Sequence, residues 1–332
     1  CVYKSGYICG DMTTQETKDR VFAELEMWKK GFHVTDLDVL IATPPCQGMS
    51  VANHKKKKDE IIRNSLVVES IKMVHQIKPK FFIFENVRAF LTSVCTDVDG
   101  NAKSIKEAIE MNLGGLYNIL YKVVNFKDYG NPSSRTRTLV IGVRKDIKEI
   151  TPCDVFPNKQ PERTLRQVIG HLPSLKKMGE ISAKVAPCIH TRNDIMASQN
   201  TVHPVDNRVF SIREVMLMMS VPESFNWSDI PFEKLNALAP KEKEAFLKKE
   251  EMNIRQTLGE AVPTIIFRQI ANKIRRVLCK PTLTEQDAKG IIERRKLTDI
   301  ESLLRFIRTN NSYKFAELSK IAELANAQRE NN

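Results

Sequence analysis

The chain lacks several features that would narrow its class at once. It is 332 residues long, yet it contains no run of about eighteen apolar residues, so no transmembrane helix is predicted. The first residues, CVYKSGYICGDMTTQETKDR, show no basic start followed by an apolar stretch, so no signal peptide is predicted. The composition is 42% hydrophobic and 28% charged, which excludes disorder as the main state.

The chain also lacks closely paired cysteines, and its acidic residues are outnumbered by basic ones. The 7 cysteines are widely spaced without any Cys-x-x-Cys pair, so neither a structural zinc site nor a disulfide framework is predicted. Such thiols fit a reducing compartment, and we expect a cytoplasmic protein. Lys and Arg number 52 against 40 Asp and Glu, a net charge of +12. This excess favours a polyanionic partner such as nucleic acid, although a solvated surface with spare lysines explains it equally well.

Short apolar runs alternate with helical patterns through the first half of the chain. Buried strands are predicted at residues 38–43 (DVLIAT), 80–84 (KFFIF), 117–126 and 138–144, and a short strand end at 6–10. A capping box of Thr13 and Glu16 predicts a helix whose apolar face carries Val21, Phe22, Leu25 and Trp28, and residues 64–76 predict a second amphipathic helix. This alternation predicts an α/β domain with a largely parallel sheet.

The second half of the chain has a different texture. Residues 145–207 are rich in prolines, histidines and isolated polar clusters, which predicts a smaller, loop-rich module. A capping box of Ser211 and Glu214 then opens a Met-rich helix, and residues 241–251 predict a charged helix. Pro263 is expected to start a further helix, and the last fifty or so residues are helical and amphipathic.

Four polar side chains lie at the ends of predicted strands. Cys46 follows two prolines after the first buried strand, and Glu85 follows the next one. Arg135 and Arg137 are two residues apart at the start of a strand, so both are expected to point to one face. Singly, each has an ordinary explanation: a packed thiol, a capping carboxylate, two surface arginines. Together, at the edge of an open α/β sheet where ligands bind, they favour a shared site.

The ordered motifs around these residues resemble those of the cytosine-5 DNA methyltransferases. The similarity runs from about residue 6 to 277, with two departures: Ser133 stands where the family usually has Gln, and Glu260 where it usually has Asn. The matching segments are residues 10–12 (GDM), 43–50 (TPPCQGMS), 63–66 (RNSL), 84–87 (FENV), 128–137 (DYGNPSSRTR), 210–225 and 256–263.

The resemblance implies a fold, a reaction and a set of site residues. The fold would be a class I S-adenosylmethionine-dependent methyltransferase sheet (Rossmann-like) that lacks its first strands, with a small target-recognition region and a C-terminal helical extension. The Cys46 thiolate, its pKa lowered by Arg137, would add to carbon 6 of cytosine, and Glu85 would hydrogen-bond the ring nitrogen and exocyclic amine. Arg137 would brace the ring carbonyl or the Cys46 loop, with Arg135 beside it. Binding of the methyl donor S-adenosylmethionine would involve Asp11, Met12, Pro44, Glu260 and Ala261, with no metal.

The resemblance also implies how the chain is divided. We expect a catalytic domain at 1–144, a target-recognition region at 145–207, a return to the catalytic domain at 208–280 with a charged helical insert at 228–252, and a helical extension at 281–332. Residues 47–63 are expected to form a mobile loop that closes over a flipped-out cytosine. The lysines of this loop either contact DNA phosphates or are simply exposed to solvent. Candidate base-reading residues are His190, Arg192, Asn193, Gln199, Asn200 and His203.

Expected partners follow from the same resemblance. The expected substrate is double-stranded DNA, and the expected partner is the endonuclease of a restriction–modification system, without stable contact to this chain. The protein is expected to be a monomer that is associated with the nucleoid when it is bound to DNA. The family's Phe-x-Gly-x-Gly loop and acidic ribose-binding residue are absent before Asp11, and the chain begins with Cys1. We therefore expect an N-terminal truncation, or else a two-subunit enzyme, that binds S-adenosylmethionine weakly or not at all.

Two other functions stay open. One is a tRNA cytosine-5 methyltransferase on the same fold, against which the sizeable recognition segment argues. The other is a catalytically incomplete DNA-binding subunit, against which the intact Cys46, Glu85 and Arg137 argue. The sequence identifies neither the target sequence nor the base that removes the carbon-5 proton.

Overall fold

The computed structural model describes residues 6–45, 66–148, 150–172, 210–222, 224–225, 238–279, 285–295 and 302. Cys46, the 47–63 loop and all six candidate base-reading residues lie outside this part of the chain. The strands are β1 (Val39–Ala42), β2 (Phe81–Val87), β3 (Val94–Thr96), β4 (Ala102–Ser104), β5 (Tyr117–Asn125) and β6 (Thr136–Arg144). The helices are α1 (Gln15–Phe32), α2 (Leu66–Ile77), α3 (Ile105–Leu113), α4 (Pro152–Val155), α5 (Leu165–Ile169), α6 (Ile212–Met218), α7 (Pro240–Glu260), α8 (Thr264–Leu278) and α9 (Glu285–Arg295).

The main sheet has the strand order β1-β2-β6-β5. β1 and β2 are parallel, whereas β6 is antiparallel to both of its neighbours, β2 and β5. The four predicted buried strands are confirmed, with β2 continuing through Glu85 to Val87, but the expectation of a largely parallel sheet is wrong for the described strands. The reason is the link between β5 and β6, residues 126–135, which is too short for the crossover that a parallel pair needs.

Helices cover both faces of this sheet. α2 and α3 pack on one face, where Phe82 and Phe84 point, and α4 and α8 pack on the other, where Phe81 and Ile83 point. A strand buried on both faces is a continuous apolar run, as in KFFIF. Gly142 lies opposite Phe82 in the register, and a Cβ there would come within 2.0 Å of the Phe82 ring. The sheet can therefore accept this ring only beside a glycine.

A third apolar cluster lies under α5, α6 and α7. Leu165, Val215, Met218 and Leu258 are buried in it, so the predicted Met-rich helix is a core helix. Its capping box is confirmed: the Ser211 hydroxyl accepts from the Glu214 amide, and the Glu214 carboxylate accepts from the Ser211 amide. None of the helices in the described ranges is long and apolar enough to cross a membrane.

Several local predictions are wrong at the level of single residues. Thr14, not Thr13, caps α1, because the amide and hydroxyl of Thr13 both donate to the Asp11 carboxylate. Residues 6–10 form no strand, since none of the described strands pairs with them. The charged helix continues past residue 251 to Glu260, and Pro263 is the N-cap of α8 rather than its first residue.

Candidate active site

Three strands bring the candidate residues to one edge of the sheet. Pro44 follows the carboxyl end of β1, Glu85 lies near the carboxyl end of β2, and Arg137 lies near the start of β6. Because β6 runs antiparallel to β2, its beginning meets the end of β2, and Arg137 is paired with Val87. The structure therefore brings Glu85 and Arg137 together at this edge, whereas Arg135 lies just before β6, and the third strand runs in the opposite direction to the first two.

Glu85 is a buried carboxylate beside an arginine. It is 6% exposed, and its Oε1 lies 3.2 Å from Nε of Arg137. Burial raises the pKa of Glu85, and the positive charges of Arg137 and Arg135 offset part of that rise. Oε1 accepts no hydrogen bond within the described part of the chain. A buried carboxylate with an unused acceptor and a raised pKa is suited to bind, and to donate a proton to, a ligand nitrogen.

Asn86 connects this carboxylate strand to the segment that leads to Cys46. Its Nδ2 donates to the Pro44 carbonyl over 2.9 Å, and its Oδ1 accepts from the Val87 amide over 2.8 Å. The side chain is 3% exposed, so the amide holds the end of β1 against the end of β2 from a buried position. Sequence reasoning placed Asn86 in a motif but assigned it no role; its position directly after Glu85 was the available signal.

Arg135 makes different hydrogen bonds from Arg137, although the positive charges of both act on Glu85. It is 3% exposed, and its Nη2 donates to the Gly259 carbonyl over 2.9 Å. This bond joins the approach to β6 with the last turn of α7, across 124 positions of sequence. Arg137 in turn donates from Nη1 to the Thr136 carbonyl, which orients its guanidinium next to Glu85.

A buried amide supports the loop before Arg135. Asn131 is fully buried; its Nδ2 donates to both the carbonyl and the hydroxyl of Ser133 over 2.8 Å, and its Oδ1 accepts from the Ser220 hydroxyl. Ser133 is the position where the resembling family has Gln. Sequence reasoning missed Asn131, since it registered only the departure at Ser133.

The residues that are expected to bind the cofactor are more exposed than Glu85, Asn86 and Arg135. Asp11 is exposed, and bonds from the Thr13 amide and hydroxyl to its Oδ1 lower the pKa of the carboxyl. Glu260, also exposed, ends α7, and within the described residues its carboxylate accepts from Gln256 on its own helix. No hydrogen bond among the described residues joins Asp11, Pro44 and Glu260 to one another.

The chemistry of this side nevertheless suits the nucleoside part of S-adenosylmethionine. Oδ2 of Asp11 takes part in no hydrogen bond within the described ranges and is open to an amine or hydroxyl donor. Met12 is half-buried beside it and offers an apolar surface for a purine ring. Ala261, half-buried after the end of α7, is the C-cap of that helix.

Comparisons with known proteins agree with this geometry. The family model described as C-5 cytosine-specific DNA methylase matches residues 4–186, more than half of the 332-residue chain. Type II methyltransferase M1.HgaI of Avibacterium volantium is 26% identical over 305 residues, covering 72% of this chain and 78% of the relative. Type II methyltransferase M.DdeI of Desulfomicrobium norvegicum is 39% identical over 146 residues, covering 43% of this chain and 34% of the relative.

A solved structure shows the same fold. A DNA modification methyltransferase encoded within a prophage of E. coli superposes with a TM-score of 0.50 at 18% sequence identity, covering 76% of this chain and 83% of the other. This likeness supports a class I methyltransferase fold around the mixed sheet. The family match extends through β1, β2 and β6, the strands that carry Glu85 and Arg137. The chain belongs to the C-5 cytosine-specific DNA methylases.

Proposed function

We propose that this protein is a DNA (cytosine-5)-methyltransferase of a restriction–modification system that modifies cytosine in double-stranded DNA. The observation that carries the proposal is the buried Glu85 carboxylate, whose Oε1 lies beside Arg137 and accepts no hydrogen bond in the described structure. Cytosine offers the matching donors, an exocyclic amine next to a ring nitrogen. Family membership and the type II relatives support the same assignment.

The proposed reaction starts with the thiolate of Cys46. Its Sγ adds to carbon 6 of cytosine, and the electron pair of the 5,6 double bond makes carbon 5 nucleophilic. Glu85 donates a proton to the ring nitrogen as negative charge develops there, which its raised pKa favours. Carbon 5 then forms a bond to the methyl group as the bond between that group and the sulfonium sulfur of S-adenosylmethionine breaks, which leaves a neutral thioether. A base, which we propose is solvent, removes the carbon-5 proton, and the electrons of that bond re-form the 5,6 double bond as the Sγ–C6 bond breaks. Cys46 leaves as a thiolate, and the ring nitrogen returns its proton to Glu85.

Arg137 and Arg135 have separate proposed roles. Arg137, which lies next to Glu85, holds the carboxyl in place and faces the ring carbonyl oxygen of the target base. Arg135 acts through its bond to Gly259, which fixes the approach to β6 against the end of α7. Asn86 positions the end of β1, and therefore the peptide segment that precedes Cys46.

S-adenosylmethionine supplies an electrophilic methyl group when it is bound. Asp11 and Met12 would hold its nucleoside part, with Pro44, Glu260 and Ala261 on the same side of the site. A target base inside a duplex cannot reach Glu85, so the cytosine must be flipped out. We propose that residues 145–207 recognise the target sequence. We also propose that the enzyme is cytoplasmic and acts on the DNA of the nucleoid.

A trapping experiment tests this assignment. Methyl transfer from labelled S-adenosylmethionine is measured on long duplex DNA and, in parallel, on tRNA. The same DNA copied with 5-fluorodeoxycytidine should hold the protein in a covalent adduct, because fluorine at carbon 5 cannot leave as a proton does. Cys46→Ala should lose both transfer and adduct but still bind DNA, whereas Cys153→Ala, a change at an exposed thiol, should keep both. Transfer by Cys46→Ala at the wild-type rate, or methylation of tRNA alone, would refute the proposal.

A further inference from the structure

A polar groove lies beside the candidate active site, on the outer side of α8. It has a volume of about 700 Å³ and lies between the segment 158–167 and one side of that helix. Apart from Gly130, Pro161 and Ile265, its lining is polar or charged, with five side-chain amides, from Asn158, Gln160, Gln167, Gln269 and Asn272. Such a lining is poorly suited to an apolar ligand and well suited to a ligand with many acceptor oxygens.

The charge in this groove is strongly one-sided. Arg163, Arg268, Lys273 and Arg276 line it, against one carboxylate, Glu162. That carboxylate is already paired, because Glu162 accepts from the ammonium of Lys127. The charge the groove presents is therefore that of its cationic side chains.

These cations lack carboxylate partners within the described structure. The guanidinium groups of Arg163, Arg268 and Arg276 take part in none of the ion pairs or hydrogen bonds of the described residues. Lys273 donates to two neutral oxygens, the Phe156 carbonyl and Oδ1 of Asn158, and burial lowers its pKa. The negative charge of Asp154 acts on Lys273, so the uncompensated charges of the groove are those of the three arginines, which a ligand or solvent must offset.

The groove is attached to the loop that leads into the active site. Gly130 lines its inner end with a φ of 85°, and a Cβ there would lie 3.2 Å from the Gln160 Cβ. The backbone N–H of Gln160 donates to the Asp128 carbonyl, and the side-chain Nε2 of Gln269 donates to the Tyr129 carbonyl. Both walls are therefore bonded to residues 128–130, a few positions before the arginines of β6. Whatever occupies the groove therefore contacts the link 126–135, which leads to Arg135 and the start of β6.

The spacing along α8 fits a polymer better than a single small anion. Arg268 and Arg276 are eight residues apart, which is about 12 Å along a helix. Phosphates follow one another at about 3.4 Å of axis per nucleotide in one strand of B-form DNA. The separation of about 12 Å corresponds to about three to four nucleotide steps, so the two arginines can contact phosphates at both ends of a run of about four, and side-chain amides are common donors to phosphate oxygens.

We propose that this groove binds the backbone phosphates of the DNA duplex flanking the target cytosine, as a sequence-independent contact outside the catalytic cleft. The proposal rests on the proposed DNA substrate. The groove contributes register and affinity rather than sequence choice, because phosphate contacts carry no direct base information.

The test is the salt dependence of DNA binding. Arg163→Gln, Arg268→Gln and Arg276→Gln are combined in one protein, and Arg20→Gln, Lys30→Gln and Lys148→Gln, at exposed positions elsewhere, in a control with the same charge change. Binding to a labelled 40-base-pair duplex is followed by fluorescence anisotropy across a range of salt concentrations. Loss of three phosphate contacts should reduce the slope of log affinity against log salt by about 2.7 and weaken binding at moderate salt by about ten- to a hundredfold. The control should change the slope by less than about 1.

A third variant separates charge from shape. A protein with Arg163→Lys, Arg268→Lys and Arg276→Lys keeps the charge, and its slope of log affinity against log salt should stay close to that of the wild type. Equal slopes for the Gln groove variant and the control would overturn the proposal. A reduced slope in the Lys variant would overturn it as well. If the wild-type protein methylates DNA and the groove variant still binds like it, only the groove assignment fails. If the wild type neither binds nor methylates DNA, the proposed function fails as well.

Discussion

The two sides of the candidate site are built in different ways. On the catalytic side, which comprises Pro44, Glu85, Asn86 and Arg137, bonds join three strands, and Glu85 and Asn86 are 6% and 3% exposed. On the proposed cofactor side, which comprises Asp11, Met12, Glu260 and Ala261, the polar side chains are exposed, and within the described residues Asp11 and Glu260 accept from near neighbours in sequence.

This difference has a consequence for stability and for function. A bond between distant elements in a buried site fixes geometry, and its loss leaves an unsatisfied polar group. A bond between neighbours on the surface is readily replaced by water. Substitutions on the catalytic side should therefore have large effects on activity or folding, whereas substitutions on the cofactor side should act only through direct contact with the bound ligand.

The largest effect is expected at Glu85. Glu85→Ala removes the proposed proton donor and should lower the rate of methyl transfer by about 10²- to 10⁴-fold. The measurement is single-turnover transfer of a labelled methyl group to DNA, with Glu293→Ala, at an exposed position of α9, as the control. A rate within threefold of the wild type would show that Glu85 does not take part in the reaction, and that the catalytic side is structural only.

Loss of Arg135 should be the largest change in stability. Arg135→Ala leaves the Gly259 carbonyl without its donor and opens a buried site, which should cost about 3–5 kcal/mol of unfolding free energy. Urea unfolding measures this cost, and Arg20→Ala on the surface should change it by less than about 0.5 kcal/mol. A cost of similar size for both variants would mean that the bond between the approach to β6 and the end of α7 contributes no net stability.

The contact between Asn131 and Ser133, the position where the family usually has Gln, can be tested by changing both residues. Asn131→Ala should cost about 1–3 kcal/mol, because it leaves Ser133 and Ser220 without a buried partner. Ser133→Gln alone should also destabilise, since it adds volume next to Asn131. The two changes together should cost less than their sum, as a double-mutant cycle in urea would show. Additive costs would show that the side chains at positions 131 and 133 do not contribute to stability through their contact.

The burial of Glu85 should make stability depend on pH. Its pKa in the folded protein is raised above the ordinary 4.5, so the folded state holds this proton more tightly than the unfolded state does. Its contribution is complete below the ordinary pKa and is lost as the pH rises through the raised value. Glu85→Gln stays neutral, so it should be more stable than the wild type at pH 8 and similar to it near pH 4. A variant that is less stable at pH 8 would show that the arginine pairing outweighs burial.

Sequence patterns predicted much of this architecture, and their failures have specific causes. KFFIF and DVLIAT predicted buried strands because a strand covered on both faces must be apolar. The direction of β6 was missed because strand periodicity is identical in both directions, and only the short link at 126–135 distinguishes them. Asn131 was missed because one polar residue in a turn-rich segment gives no sign of burial. α1 has a predicted apolar face, but Trp28 and Phe32 are 42% and 65% exposed, since periodicity does not show what covers a helix.

The smallest effect is expected at Glu260, where the contrast between the two sides falls on adjacent residues. Gly259 accepts from the buried Arg135, whereas the side chain of Glu260 is exposed and, within the described residues, accepts from Gln256 on its own helix. Glu260→Asn, which introduces the residue usual in the family, should change unfolding free energy by less than about 0.5 kcal/mol and the KM for S-adenosylmethionine by less than about threefold. Titration of S-adenosylmethionine in the methyl-transfer assay measures the second quantity. A tenfold change in that KM with unchanged stability would mean that Glu260 contacts the cofactor directly, so that the cofactor side selects its ligand by charge despite its exposed and local bonding.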